Sequence, residues 1–265
     1  MEEQPLAPAI DITRPSVARM YDYYLGGKDN FAVDRAAVER VELAMPEVRQ
    51  LAMENRAFLR RAVRFMAAAG IRQFLDIGAG LPTAGNTHEV AQRAAPDARV
   101  VYVDNDPIVL VHARALLASR PEGATDYVDA DLRDPGKILG AAAGSLDLGQ
   151  PVALMLMAIL QHIGDEDDPY QVVATLVEAL APGSYLAISH PASDINAEAM
   201  AKMAASLNQT MAERVTFRSR DAVVGFFTGL DLVEPGLVQA SKWRPATRED
   251  ADRPAALWAG VAAKK

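Results

Sequence analysis

Apolar positions fall at helical spacing through the first 70 residues and then change rhythm. Residues 16–27, Ser-Val-Ala-Arg-Met-Tyr-Asp-Tyr-Tyr-Leu-Gly-Gly, predict a helix that Pro15 can open and Gly26-Gly27 can end. A second helix is predicted from near Asp34 to Met45. A third is opened by Pro46 and closed by Gly70. On it Val48, Leu51, Phe58, Leu59, Val63 and Met66 form an apolar stripe. Arg56, Arg60, Arg61 and Arg64 lie mainly off that stripe and read as a solvated face paired with Glu54 and other acids, the alternative being a basic patch for an anionic substrate. Residues 1–14 read as a loose arm.

Beyond residue 70, short apolar runs alternate with helical stretches. Strands are predicted at 73–77, 99–104, 125–128, 151–157 and 185–189, with helices at 86–95, 107–119, 135–143 and 169–180 between them. Such alternation predicts an α/β protein with a parallel, doubly wound sheet. The run Val-Ala-Leu-Met-Leu-Met at 152–157 suits a strand buried on both faces. A helix-prone stretch at 194–211, a short helix at 221–227 and two strands at 230–234 and 256–263 complete the pattern, seven strands in all. The chain divides into an N-terminal helical extension, residues 1–70, and a domain at 71–265 with a helical insert at about 194–227.

Composition narrows the function. The net charge is −8, a poor match to a phosphate backbone. No cysteine is present, which excludes disulfides, cysteine zinc sites and thiol catalysis. No apolar run approaches the roughly 18 residues of a membrane helix, and the acidic N-terminus is not a signal peptide. The chain reads as cytoplasmic, and neither nucleic acid nor membrane is expected as a partner.

The first predicted strand runs into Asp76-Ile77-Gly78-Ala79-Gly80. Glycines at the carboxyl end of the first strand of an α/β sheet let the backbone turn sharply and approach a ligand. A dinucleotide fingerprint needs a third glycine, but Leu81-Pro82-Thr83 follows here, and Pro82 offers no N–H to a pyrophosphate. Asp76 would oppose a diphosphate. It suits S-adenosylmethionine (SAM), which carries a sulfonium and an ammonium. The second strand ends at Asp104, 24 residues after Gly80, where a carboxylate can accept from both ribose hydroxyls. Asp106 reads as a helix cap ahead of Pro107. After the third strand, Asp131 or Asp129 can reach the exocyclic amine of adenine. Asn105, Leu132 and Met157 complete the expected cofactor wall, and Thr83 and Asn86 can hold the methionine end.

These residues resemble the class I SAM-dependent methyltransferases, through Asp76-x-Gly78-x-Gly80, Asp104 and Asp131 in that order. A narrower resemblance spans nearly the whole chain. Ser16-Val-Ala-Arg-Met-Tyr-Asp-Tyr, Leu25-Gly-Gly-Lys-Asp-Asn-Phe, Phe74-Leu-Asp-Ile-Gly-Ala-Gly-Leu-Pro-Thr and Tyr102-Val-Asp-Asn-Asp-Pro are similar to an actinobacterial SAM-dependent methyltransferase family long catalogued as a domain of unknown function. The resemblance implies a Rossmann-like fold and a site for SAM or its product S-adenosylhomocysteine, and leaves the acceptor and the oligomeric state undefined.

For chemistry, His162 follows the fourth strand and is a candidate general base, or packs beneath its loop. Tyr21 with Lys28 and Asn30 can line an acceptor pocket as a lid hinged on the glycine pair, or serve only as helix packing and capping. His88 can touch the methionine moiety or fix the loop. His190 is a weaker candidate and His112 an ordinary helix residue. The four histidines show no metal-ligand spacing, and no metal is expected. The leading expectation is methyl transfer to a small molecule. The alternatives are a non-catalytic SAM-binding protein and, less favoured, a nicotinamide-dependent oxidoreductase.

Overall fold

A computed structural model describes residues 10–116, 122–211 and 213–265. Most of the N-terminal arm (residues 1–9) and the end of the helix expected at 107–119 (residues 117–119) lie outside the described residues. Residues 10–14 form neither helix nor strand.

Three helices come first: α1 (Val17–Tyr24), α2 (Ala32–Ala44) and α3 (Val48–Ala68). Helix α2 begins two residues before Asp34, because the Asp34 Oδ2 accepts the Phe31 N–H at 2.8 Å and so caps it. The alternating part follows as β1 (Gln73–Ile77), α4 (Thr87–Ala94), β2 (Arg99–Asp104), α5 (Pro107–Leu116), β3 (Ala124–Asp129), α6 (Pro135–Ala142), β4 (Ala153–Met157), α7 (Pro169–Glu178) and β5 (Tyr185–Pro191). The chain ends with α8 (Ala197–Thr210), α9 (Arg220–Gly225), β6 (Asp231–Leu232), β7 (Val238–Gln239), α10 (Arg248–Asp252) and β8 (Leu257–Ala263).

The strands form one sheet in the order β3-β2-β1-β4-β5-β8-β6, with β7 also pairing β8. The first five are parallel and β8 is antiparallel to β5. This is a Rossmann-like class I architecture with one strand more than the seven expected. The segment expected as a strand at 230–234 pairs with β8 at only two residues, and 238–239 pairs with β8 again further on. A two-residue strand and the five-residue α10 are too short to show a hydrophobic period in sequence.

Side-chain alternation assigns each strand residue to a face. Leu75, Ile77, Leu154, Leu156, Leu186 and Ile188 pack with α6, α7 and α9. Phe74, Val100, Tyr102, Met155, Met157 and Ala187 face the opposite layer, which contains α3, α4 and α8. The N-terminal helices therefore share a core with the sheet. Phe58 and Phe65 of α3 meet the fully buried Trp243 edge-on at 5.3 and 5.8 Å. Arg61 donates to the carbonyls of Ala240 and Trp243, so it ties α3 to the C-terminal segment. Helix α1 is fastened to α2 by a buried ion pair, Arg19 Nε to Asp34 Oδ2 at 2.8 Å.

Candidate functional site

Strand order reverses between β1 and β4, and at such a switch point the carboxyl ends of the strands leave a crevice. A cavity of about 400 Å³ occupies it. Asp76 shares its face of the sheet with Phe74, and Asp104 shares its own with Val100 and Tyr102, so both carboxylates turn toward the layer of α3 and α4. Thr87 of α4 donates to Asp76 Oδ2 at 2.5 Å. Arg56 of α3 is buried, lines the cavity and donates to Asn86 Oδ1 at 3.1 Å.

Gly78 has φ +76°, and a Cβ there would lie 2.6 Å from the Ile159 side chain. Both the turn and the space require glycine. The Gly80 N–H donates to Asp104 Oδ2 at 2.8 Å and the Asp106 N–H to Asp104 Oδ1 at 3.0 Å. Burial pushes both Asp76 and Asp104 up to about 6; the hydrogen bonds they accept oppose the shift without cancelling it.

Other predicted cofactor residues reach the same wall: Asn105, Asp131, Leu132 and Met157. Asn105 Nδ2 donates to Asp131 Oδ2 at 3.0 Å, and Arg133 reaches both Asp131 and Asp167. Asp129 and Thr83 stand outside the cavity wall. The Thr83 N–H and Arg56 both use Asn86 Oδ1, which pins the glycine loop from behind. The solvated-face reading of the arginines is corrected for Arg56, which is buried in the cavity wall, and for Arg61, which bonds two carbonyls. Only the three-dimensional path of α3 reveals this, since a helical wheel shows the stripe that meets the sheet and not what meets its flank.

The N-terminal segment closes the cavity. Pro15, Ser16, Val17, Ala18 and Tyr21 line it, and Ser16 Oγ donates to Asp106 Oδ2 at 2.6 Å. Of the expected acceptor residues, Tyr21 and His162 line this cavity. Lys28 is exposed and in neither cavity described here. Asn30 is buried away from both and donates to Asp22 Oδ2 and to the Gly27 carbonyl, so it closes the turn after α1. Asp22 occupies the space beside Gly27, where a Cβ would fall 1.9 Å from its Oδ1; this explains the second glycine of the pair.

Tyr21 is fixed by a hydrogen-bond chain from the sheet. Ser189 Oγ donates to Asn55 Oδ1 at 2.6 Å, Asn55 Nδ2 to Tyr21 Oη at 2.8 Å, and Tyr21 Oη to the Ala52 carbonyl at 3.3 Å. Burial pushes the Tyr21 hydroxyl up, so it stays protonated.

His162 is oriented differently. Gln161 Nε2 lies 2.6 Å from the Ala158 carbonyl, which fixes that end of the amide as the donor. The same nitrogen lies 3.2 Å from His162 Nε2, which therefore accepts, and the ring proton sits on Nδ1. Desolvation, aided by Arg133, lowers the His162 pKa to about 4. The imidazole is therefore neutral at pH 7, with its Nε2 engaged by Gln161. Ala158 itself holds φ 50°, a left-handed conformation costing about 1–2 kcal/mol, at the tip of β4.

The remaining histidines have structural partners. His88 pairs with Tyr102 Oη through both its backbone N–H and Nδ1. His190 bonds the Pro191 carbonyl and receives Arg218. His112 lies 3.7 Å from Asp29. Among the described residues no cluster of potential metal ligands occurs, and no helix is long and apolar enough to cross a membrane.

A family described as S-adenosyl methyltransferase matches residues 3–265. A crystal structure of a DUF574 family protein from Streptomyces avermitilis is 43% identical, with a TM-score of 0.93 over 97% of this chain and 100% of that one. A candidate methyltransferase from Thermobifida fusca is also 43% identical, with a TM-score of 0.89 over 97% of this chain and 98% of that one. Human N-acetylserotonin methyltransferase in complex with SAM shares the fold at 15% identity and a TM-score of 0.51, over 95% of this chain and 63% of that one. No curated protein matches the chain. On the family match and the two 43% relatives, the chain belongs to the S-adenosyl methyltransferase family and is a SAM-dependent methyltransferase.

Proposed function

We propose that SAM occupies the larger cavity and that its methyl group is delivered to a small molecule bound between α1, α3 and the tip of β4. The charge of the wall carries this reading: five carboxylates (Asp76, Asp104, Asp106, Asp131, Glu213) face two guanidiniums, of which Arg133 is already paired. Such a wall suits a ligand with two positive centres and one carboxylate. Asp104 would accept from the ribose hydroxyls and Asp131 from the adenine amine. Asp76 would face the charged methionine end, and Arg56 would hold its carboxylate. Ile159, Leu132 and Met157 offer apolar surface for the adenine and the thioether.

When bound, SAM supplies a methyl group on a sulfonium: the S–CH3 bond breaks, its electron pair returns to sulfur, and an acceptor lone pair forms the new bond. The protein's own part is positioning and exclusion of water. Tyr21, held by the Ser189–Asn55 chain, and Ala158 form the partition across which the two reactants meet. An acidic chain without cysteine suits work in the cytoplasm.

Titration calorimetry with SAM tests this reading, using the intact chain and an Asp104→Ala variant. Loss of the hydrogen bonds to a charged acceptor, about 1.5–3 kcal/mol each, predicts at least a tenfold weaker Kd. Equal affinity in the variant would sink the assignment.

A further inference from the structure

A second cavity of about 110 Å³ adjoins the first, and Val17, Tyr21, Asn55, Ala158, His162 and Met211 line both. Its far walls come from three helices and the segment that follows them. Met20 and Tyr24 belong to α1, Leu51 to α3, and Met203 and Leu207 to α8, with Phe217 beyond it. Each helical pair stands four residues apart, which puts both members on one helix face.

This cavity offers a ligand little to bond with. No Asp, Glu, Lys or Arg is among the described residues that line it. Its polar side chains are turned to one another or to the backbone. Tyr21 Oη joins Asn55 and the Ala52 carbonyl, and Asn55 Oδ1 receives Ser189. Gln161 Nε2 meets the Ala158 carbonyl and His162 Nε2. Tyr24 Oη, Gln161 Oε1 and His162 Nδ1 have no partner, but they are sealed beneath the wall, out of reach of a ligand. An ion placed here would lose its water and gain no counter-charge, which is costly.

The walls favour an aromatic ring. Thioethers of Met20, Met203 and Met211 and the rings of Tyr21, Tyr24 and Phe217 surround the space. Sulfur–aromatic contacts and edge-to-face ring pairs both stabilise such a guest. Size agrees, since an apolar cavity of about 150 Å³ accepts benzene, and about 110 Å³ leaves room for one flat ring. We infer that this cavity is the subsite for the apolar part of the methyl acceptor and takes one uncharged aromatic ring. This rests on the larger cavity being the SAM site. The residues common to both cavities mark where the two reactants meet. The nucleophilic atom is therefore carried on the side of the ring that faces Tyr21 and Ala158. The smaller cavity selects the ring, not the atom methylated.

The test uses the full chain loaded with S-adenosylhomocysteine, its methionine methyl groups isotopically labelled and followed by NMR. Met20→Leu and Met203→Leu variants assign the signals. Benzene, cyclohexane, benzoate and benzylamine are titrated in turn. Benzene is expected to move the Met20 and Met203 signals and to leave that of Met157, which lines the larger cavity only. Its Kd is expected to lie at least about tenfold below those of benzoate and benzylamine, and below that of cyclohexane. A Leu207→Trp variant, which fills the cavity, is expected to lose benzene binding and keep SAM affinity within twofold. Binding of either ion as tight as that of benzene would overturn the inference, and so would equal binding of cyclohexane. Benzene binding that survives Leu207→Trp, or that moves only Met157, would place the ring elsewhere and overturn it too. Binding of SAM with no binding of benzene would sink the inference and leave the cofactor assignment standing. Failure of the intact chain to bind SAM would overturn the cofactor assignment first, and the inference with it.

Discussion

Two carboxylates set how this site responds to pH. Asp76 and Asp104 are both pushed up to about 6 by burial. A cationic ligand favours their ionised forms, so protons must leave before SAM binds well below pH 6. The Kd for SAM is expected to be flat from pH 7 to 8. Below pH 6 it should rise by about tenfold per unit for each carboxylate involved, which calorimetry at pH 5.0 and 7.5 measures. A Kd unchanged at pH 5 would show that neither group touches the ligand. His162 behaves in the opposite sense. With a pKa of about 4 it is already neutral at pH 6, so an inflection near pH 6 in the rate profile belongs to the carboxylates and should survive in a His162→Gln variant. Such an inflection in the wild-type rate profile, absent in the variant, would make His162 a base after all. Arg56→Met tests the remaining charge: SAM affinity should fall by about tenfold or more, because a carboxylate would lose a charge-assisted partner.

Helix α1 contributes to function through its attachment. Its Tyr21 reaches the site because Arg19 is buried against Asp34 and Ser16 reaches across to Asp106. Removing one partner of a buried pair costs about 3–5 kcal/mol. Arg19→Met is therefore expected to lower the thermal midpoint sharply, and proteolysis should cut first between α1 and α2. A variant as stable and as protease-resistant as the parent would show that α1 is held by its apolar contacts alone. At the β1 turn, Gly78→Ala meets both a left-handed backbone and the Ile159 side chain, so SAM binding should be lost even if the chain folds. Both features were partly legible in sequence. The glycine pair and the Asp-x-Gly-x-Gly turn stood out as local patterns. The partners of Gly78 and Asn30 did not, because Ile159 lies far along the chain and the Asp22 carboxylate is set by a turn with no periodicity.

Across the whole molecule, opposed titrations balance. His162 and His190 are lowered to about 4 and about 3, so the unfolded chain takes up their protons first and stability falls as pH drops below 6.5. Asp76 and Asp104 are raised, so the folded chain takes up theirs first and stability is gained below pH 6. In the free protein these four groups largely cancel between pH 6 and 4. Bound SAM holds the carboxylates ionised and removes their share. Thermal unfolding of the SAM complex should therefore lose stability through this range, at about 1.4 kcal/mol per pH unit for each histidine, while the free protein changes less. Parallel curves with and without SAM would refute the linkage.

The sequence by itself determined the alternating architecture, the switch-point turn at Gly78 and Gly80, and the carboxylates at the strand ends. These depend on local period, on backbone freedom at glycine and on position along a strand. That Asp76 and Asp104 share one face follows from the register of β1 with β2, in which Asp76 pairs with Tyr102. Only the tertiary structure decided what covers that face. Helix α3, read from its stripe as a packing element with a wet arginine side, lies over β4, β5 and β8 and brings Asn55, Arg56 and Leu59 into the site. The orientation of His162 was equally invisible, since it depends on one carbonyl turning one amide. Packing across distant segments sets such contacts, and no spacing along the chain encodes them.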